Sequence, residues 1–186
     1  MIQLTRAFSV MFDIGEMEAQ VFSSKFSSEL LPKNAYFLQT GEHCNKFSFI
    51  SSGLVRVFAE TEKREVTQWI GDAGHFLTDI SSFMFREPAR WNIRALSDTT
   101  LWTLSYADYL QFENELPAWN LLEKRFVAKC FSVMENRIFD FIALSTEERY
   151  ARYFAQYPNH FNQVPLQYIA SLLGMSPETL SRIRAK

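Results

Sequence analysis

Residues 164–186 read VPLQYIASLLGMSPETLSRIRAK, and the chemistry this spacing offers is hydrogen bonding to base edges and phosphates. If Leu180 and Ile183 face inward on a final helix, then Glu178, Thr179, Ser181, Arg182, Arg184 and Lys186 face outward. That set combines an acid, hydroxyls and cations, the side chains that read bases and neutralise the DNA backbone.

The neighbouring residues supply the elements that would hold this face. Ile169, Leu172 and Leu173 make one apolar face of a short first helix, with small Ala170 where a second helix must come close. Gly174 breaks the pattern and can take the left-handed conformation that ends a helix, with Met175 packing back. Ser176 is a good N-cap, Pro177 suits the first helical position, and Glu178 favours the positive helix end. The spacing predicts a helix-turn-helix whose second helix is the reader.

The whole chain carries a formal charge of −2, which is unhelpful for DNA until it is divided. From Tyr150 onward Arg152, Arg182, Arg184 and Lys186 stand against Glu178 alone, a net +3 against −5 for the remainder. Phosphate neutralisation dominates DNA affinity, so two such tails in a dimer are credible where one is weak. A dimerisation element is therefore expected. The stretch from Trp119 to about Leu144 supplies it: Leu121, Val127, Cys130, Phe131, Met134, Ile138, Phe141 and Ile142 give a broader apolar surface than one domain contact uses.

Upstream, the 186 residues are 47% hydrophobic and contain 18 Phe, enough for a substantial aromatic core. Phe8, Met11, Phe12, Ile14, Met17, Val21, Phe22 and Phe26 predict short packed helices within the first 30 or so residues. From Pro32 to about Leu104 the runs AYFLQ, KFSFI, LVRVFAE, EVTQWI, WNIRAL and TLWTLS read as strands of a β-sandwich or jelly roll. In GLVRVF, apolar Leu54 and Val57 alternate with Arg56. Tyr106 to Glu115 reads as a short helix, and Ser145 with Glu147 and Glu148 starts another, STEERYARYFAQYP, whose Tyr150, Tyr153, Phe154 and Tyr157 would cover the terminal motif. The start MIQLTRAFSVMFDIGEME is too interrupted for a signal peptide and no run approaches a membrane span, so a cytoplasmic protein is expected.

An aromatic β domain, one long helix and a terminal helix-turn-helix together resemble the CRP/FNR family of bacterial regulators. FSFISSGLVRVF (47–58) is similar to the family's β-roll signature, and LLGMSPETLSRI (172–183) to its DNA-binding signature. SPETLSRIRAK with LSTEERYARYF upstream looks like the compact branch common in Bacteroidetes. The resemblance implies an α+β fold: a β-roll (jelly-roll) sensor domain over 1–117, a dimerisation helix over 118–145, and a helix-turn-helix domain over 146–186. It implies a non-catalytic homodimer on a palindromic double-stranded DNA operator, with RNA polymerase as a further partner. By position, Glu178 and Arg182 fall where the family reads bases, Gln167 where it contacts phosphate, and Ser176 opens the reading helix. Pro177 replaces a basic residue of the cyclic-AMP-responsive members.

For the sensor, a cyclic-nucleotide cassette needs Gly-Glu for the ribose and Arg-Ser or Arg-Thr for the phosphate. This chain has Thr78-Asp79 and Ala89-Arg90 there, with Trp91 next, so cyclic AMP is not the expected effector. Arg86 and Arg90 read as solvated loop charges, and an aromatic pocket for another ligand could be lined from among Phe76, Phe83, Phe85 and Trp91. No cofactor is expected. A cupin-like metal enzyme or a non-DNA ligand-binding or interaction protein on the same β-roll is the alternative. However, Glu42 and His43 lack a His-x-His partner, His75 and His160 lack ligand spacing, and Cys44 and Cys130 form no CxxC.

Overall fold

The computed structural model describes residues 1–115 and 119–185. Lys186 and the 117/118 boundary read from the sequence lie outside those residues. The chain divides into two compact units, Met1–Val57 with Ile70–Ala128, and Phe58–Trp69 with Lys129–Lys186. The division therefore falls inside the long helix, and the second unit takes in twelve residues from the β region. Sequence reasoning placed all of those with the first domain.

The first unit opens with α1 (Ile2–Phe12) and α2 (Glu16–Ser23). Leu4, Phe8, Phe12, Ala19 and Phe22 are buried, whereas Met17 and Val21, expected to pack, are 85% and 48% exposed. The strands follow as β1 (Ser27–Leu31), β2 (Tyr36–Leu38), β3 (Lys46–Ser52), β4 (Val55–Glu60), β5 (Glu65–Gly71), β6 (Phe76–Leu77), β7 (Asn92–Ala95) and β8 (Thr99–Ser105). Two four-stranded sheets result, ordered β1-β8-β3-β6 and β2-β7-β4-β5. β1, β6 and the helix α3 (Ile80–Phe85) were not foreseen. β1 reads SSELL, too polar to announce itself, and it is held through pairing with β8, Ser27 opposite Thr103 and Leu31 opposite Thr99. A polar ladder then crosses the sheet: Thr103 donates to Glu29 at 3.1 Å, Glu29 pairs with Lys46 at 2.5 Å, and Ser48 shares a 2.8 Å hydrogen bond with Thr103. On β4 the expected alternation is absent from the burial, because Val55, Arg56, Val57 and Phe58 are all enclosed.

The core is a cluster of phenylalanines centred on Phe76. Its ring stacks on Phe47 at 5.1 Å and meets Phe8, Phe49 and Phe126 edge-on at 5.4, 5.2 and 5.8 Å. Offset and edge-to-face contacts of this kind contribute about 0.5–1.5 kcal/mol per pair beyond the area they bury. Phe126 belongs to α5 (Trp119–Ala143), so the β-roll grips the start of the long helix. Before it, α4 (Tyr106–Glu115) supplies Tyr109 and Phe112, which pack on Trp119.

The second unit holds the remainder of α5, then α6 (Thr146–Gln156), α7 (His160–Gln163), α8 (Leu166–Leu172) and α9 (Pro177–Arg184). Ser145 closes a full capping box with Glu148, as the spacing predicted, and these hydrogen bonds hold the Glu148 carboxyl below its ordinary range. α6 covers less than foreseen: none of its residues is buried, and Phe161 of unforeseen α7 fills the gap by meeting Tyr150, Tyr153 and Phe154 at 5.5, 5.9 and 5.2 Å. Among the described residues, no helix is long and apolar enough to cross a membrane.

One glycine sets a turn where a Cβ would meet backbone. Gly53 joins β3 to β4 at φ +96°, where a Cβ would sit 2.6 Å from the Asp98 carbonyl oxygen and 2.7 Å from the Thr99 Cα. Both obstacles are backbone. Gly53→Ala is therefore expected to cost at least about 2 kcal/mol through backbone strain and overlap. A urea-unfolding midpoint indistinguishable from the parent's would contradict this.

Candidate functional site

The terminal motif folds as its residue types dictate. α8 ends at Gly174, which adopts φ +68°, and Met175 N–H reaches back to the Ala170 carbonyl at 3.0 Å. This is a Schellman closure with buried Met175 as its apolar contact. Two residues later Ser176 Oγ accepts from Thr179 N–H at 3.2 Å and Pro177 occupies the first helical position. Ile169, Ala170, Leu172, Leu173, Leu180 and Ile183 are buried between the two helices.

Of the residues proposed to meet DNA, Gln167, Ser176, Glu178, Ser181, Arg182 and Arg184 are exposed and Thr179 is half-buried. Their surroundings rank them differently from the sequence. Ser176 and Thr179 are engaged in the cap, their hydroxyls 3.3 Å apart, so they position more than they read. Arg184 lies with its guanidinium 5.8 Å above the Phe161 ring, back toward the core. Glu178, Ser181 and Arg182 remain as the outward set on one face of α9. A hydrogen bond from Ser176 holds the Glu178 carboxyl below its ordinary value, so it is anionic wherever a cytosine amino group would be read.

Sequence reasoning missed the residues that fasten this motif. Arg149 Nε donates to the Leu173 carbonyl at 3.1 Å and its Nη1 to the Leu144 carbonyl at 2.8 Å. Arg137 Nη2 donates to the Leu172 carbonyl at 3.3 Å. Both guanidiniums lie over the Phe141 ring, at 5.0 and 5.8 Å, and that ring occupies the space a side chain at position 174 would need. No sequence signal announces an arginine whose partners are main-chain carbonyls.

In the first unit, the Thr78-Asp79 pair of the cassette bonds within the protein. Thr78 Oγ1 donates to the Lys46 carbonyl at 3.0 Å, and Asp79 caps α3 by accepting from Ser82 N–H at 3.1 Å. The second carboxylate oxygen of Asp79 is buried without a hydrogen-bond partner. Arg86, read from the sequence as a solvated charge, is not one. It takes a left-handed φ of 57° at the end of α3, donates to the Cys44 carbonyl at 2.8 Å and to Asn45 Oδ1 at 2.5 Å, and lies 4.0 Å over Tyr106. Arg90 is exposed and rests on Trp91 at 4.9 Å, as a surface charge would.

The foreseen aromatic residues do not converge on one pocket: Phe76 is the centre of the core, Phe85 is 72% exposed, and Phe83, with Thr78, lines a cavity. That cavity, completed by Phe12, Phe47, Tyr109, Trp119 and their neighbours, measures about 30 Å³. It has room for about one water, whereas ligand pockets run to ~300–1,000 Å³. Tyr109 Oη–H donates to Glu123 at its edge, and the Trp119 indole N–H is buried without a partner. Among the described residues, no three His, Cys, Asp or Glu side chains are grouped to hold a metal.

Residues 28–115 match the family model of the cyclic nucleotide-binding domain. Three solved structures place that domain within a larger arrangement. The catabolite activator protein of Thermus thermophilus is 23% identical, with 94% of this chain covering 84% of that one at a TM-score of 0.61. FixK2 of Bradyrhizobium japonicum is 13% identical, 86% covering 83%, at 0.72. The c-di-GMP-responsive global regulator CLP of Xanthomonas campestris is 15% identical, 92% covering 90%, at 0.67. None of the curated proteins matches by sequence. The chain has the fold of these three structures, a β-roll over the region that matches the cyclic nucleotide-binding domain followed by helices, the α+β architecture that the resemblance implied.

The Ser176 cap gives a titration test. A carboxyl whose folded pKa is depressed contributes stability that is present above its unfolded pKa and is lost as pH falls through the folded one. Ser176→Ala should return the Glu178 pKa toward its ordinary value, followed by NMR titration, and cost about 0.5–2 kcal/mol from the lost cap. An unmoved Glu178 pKa would show that the hydroxyl is not its partner.

Proposed function

We propose that the chain is a sequence-specific DNA-binding transcription regulator that acts as a homodimer and has no catalytic role. The observation that carries this reading is α9: a capped helix with Leu180 and Ile183 buried beneath it and Glu178, Ser181 and Arg182 exposed on its outer face. Arg bonds guanine bidentately and Glu accepts from the cytosine amino group, the pairings that give discrimination in the major groove. Gln167, Arg184 and Lys186 supply phosphate contacts in this reading.

A second copy of the chain is the partner that α5 favours. Only Trp119 and Leu122 of its twenty-five residues are buried. Val127, Phe131, Met134 and Ile138 follow at steps of four, three and four, and all are 40% exposed or more. Such spacing is a seam for a parallel helix pair, and a two-fold pair sets two reading helices about one DNA turn apart on a palindromic operator. RNA polymerase as a further partner and a cytoplasmic location belong to the same reading.

The β-roll is proposed as a sensor for an effector other than cyclic AMP. Thr78, Ala89 and the small cavity all oppose a cyclic nucleotide, and CLP, of the same fold, is responsive to c-di-GMP. The orphan oxygen of Asp79 favours a ligand that carries a hydrogen-bond donor.

Selection from random duplexes should yield a palindrome. Arg182→Ala should weaken binding to it by about 1–3 kcal/mol, roughly 5- to 150-fold, with the dimer intact by sedimentation. Unchanged affinity would remove α9 as the reader. Saturating cyclic AMP should leave the melting temperature where it is, since only a ligand that binds the folded state raises it. A rise of several degrees would reverse the sensor reading.

A further inference from the structure

The hairpin tip of β4 and β5, residues 58–69, belongs with the helical second unit, and hydrogen bonds tie it to α8 and α5. Thr67 is buried, and its N–H donates to Ser171 Oγ at 2.9 Å. The next carbonyl, that of Gln68, accepts from Arg137 Nη1, while Nη2 of the same guanidinium donates to Leu172 at 3.3 Å. One planar fork thus joins the hairpin main chain to the last turn of α8, a geometry that a lysine cannot reproduce. Burial lowers the Arg137 pKa from its ordinary value, with the Tyr153 charge opposing, so this cation has given up water to hold carbonyls.

Neither Arg137 nor Ser171 lies in the outward set of α9. Ser171 and Leu172 instead end α8 immediately before the turn at Gly174, which fixes the angle of α9. We infer that Arg137 and Ser171 are positioning residues that clamp the helix-turn-helix to the β4–β5 hairpin, so that the hairpin sets the orientation in which α9 is presented to DNA. This rests on the DNA-binding reading for its consequence, though not for the clamp itself.

The test uses the full chain and the palindromic duplex selected by the parent protein, with Arg137→Ala, Arg137→Lys and Ser171→Ala. Each variant should bind about tenfold more weakly. The slope of log affinity against log salt should stay at the parent value, because no phosphate contact is lost, whereas removing a phosphate-bonding cation lowers it by about 0.9. Amide exchange at Thr67 should accelerate in all three variants while the remaining β4 and β5 amides keep their protection. Unchanged affinity together with unchanged Thr67 exchange overturns the clamp, and so does a reduced salt slope in Arg137→Ala, which would place that arginine on the DNA. General loss of protection in Arg137→Ala would make it a folding residue, and Ser171→Ala, the milder change, then decides. If the parent chain selects no duplex, the DNA-binding reading fails separately. Thr67 exchange in Arg137→Ala then judges the clamp by itself: acceleration sustains it and no change removes it.

Discussion

The first unit depends on the packing around Phe76. Rings from α1, β3, β6 and α5 meet there, and because Phe126 is among them, the β-roll and the base of the long helix form one core. Phe12, Phe47 and Phe126 of the same cluster also line a cavity of about 30 Å³.

What was legible in the sequence was local. Ser145, Gly174, Ser176 and Pro177 act on backbone groups within four residues of themselves, so their types and spacing state their roles, and α6, α8 and α9 followed from them, while α5 followed from its own apolar period. What was hidden depends on distant partners. Ser27, Ser28 and Glu29 look like loop residues until β8 and Lys46 lie beside them. Arg56 looked like the outward member of an alternating strand, yet it is 1% exposed because β4 is enclosed on both faces. Met17 and Val21 fit an apolar period whose phase was set instead by Leu4, Ala19 and Phe22.

The site divides the same way. The outward face of α9 could be read, but the difference between Ser181 or Arg182, which face solvent, and Ser176, Thr179 or Arg184, which are engaged by the protein, needed coordinates. In the cassette, the residue types at Thr78 and Asp79 were legible, but their bonds to the Lys46 carbonyl and the Ser82 N–H were not. Arg86 could not be read, because its function is to hold the carbonyl of Cys44 and the side chain of Asn45. It shapes the loop from within.

Arg137 and Arg149 grasp α8 by the carbonyls of Leu172 and Leu173, atoms that every residue type possesses. The solvent-facing side chains of α8 and α9 are therefore unconstrained by the way the motif is mounted. Substitutions at exposed Gln167, Glu178, Ser181 or Arg182 alter the outer surface without disturbing how the motif is held. A motif fastened in this manner can change its outward chemistry by point mutation while its framework stays fixed, a separation of mounting from surface.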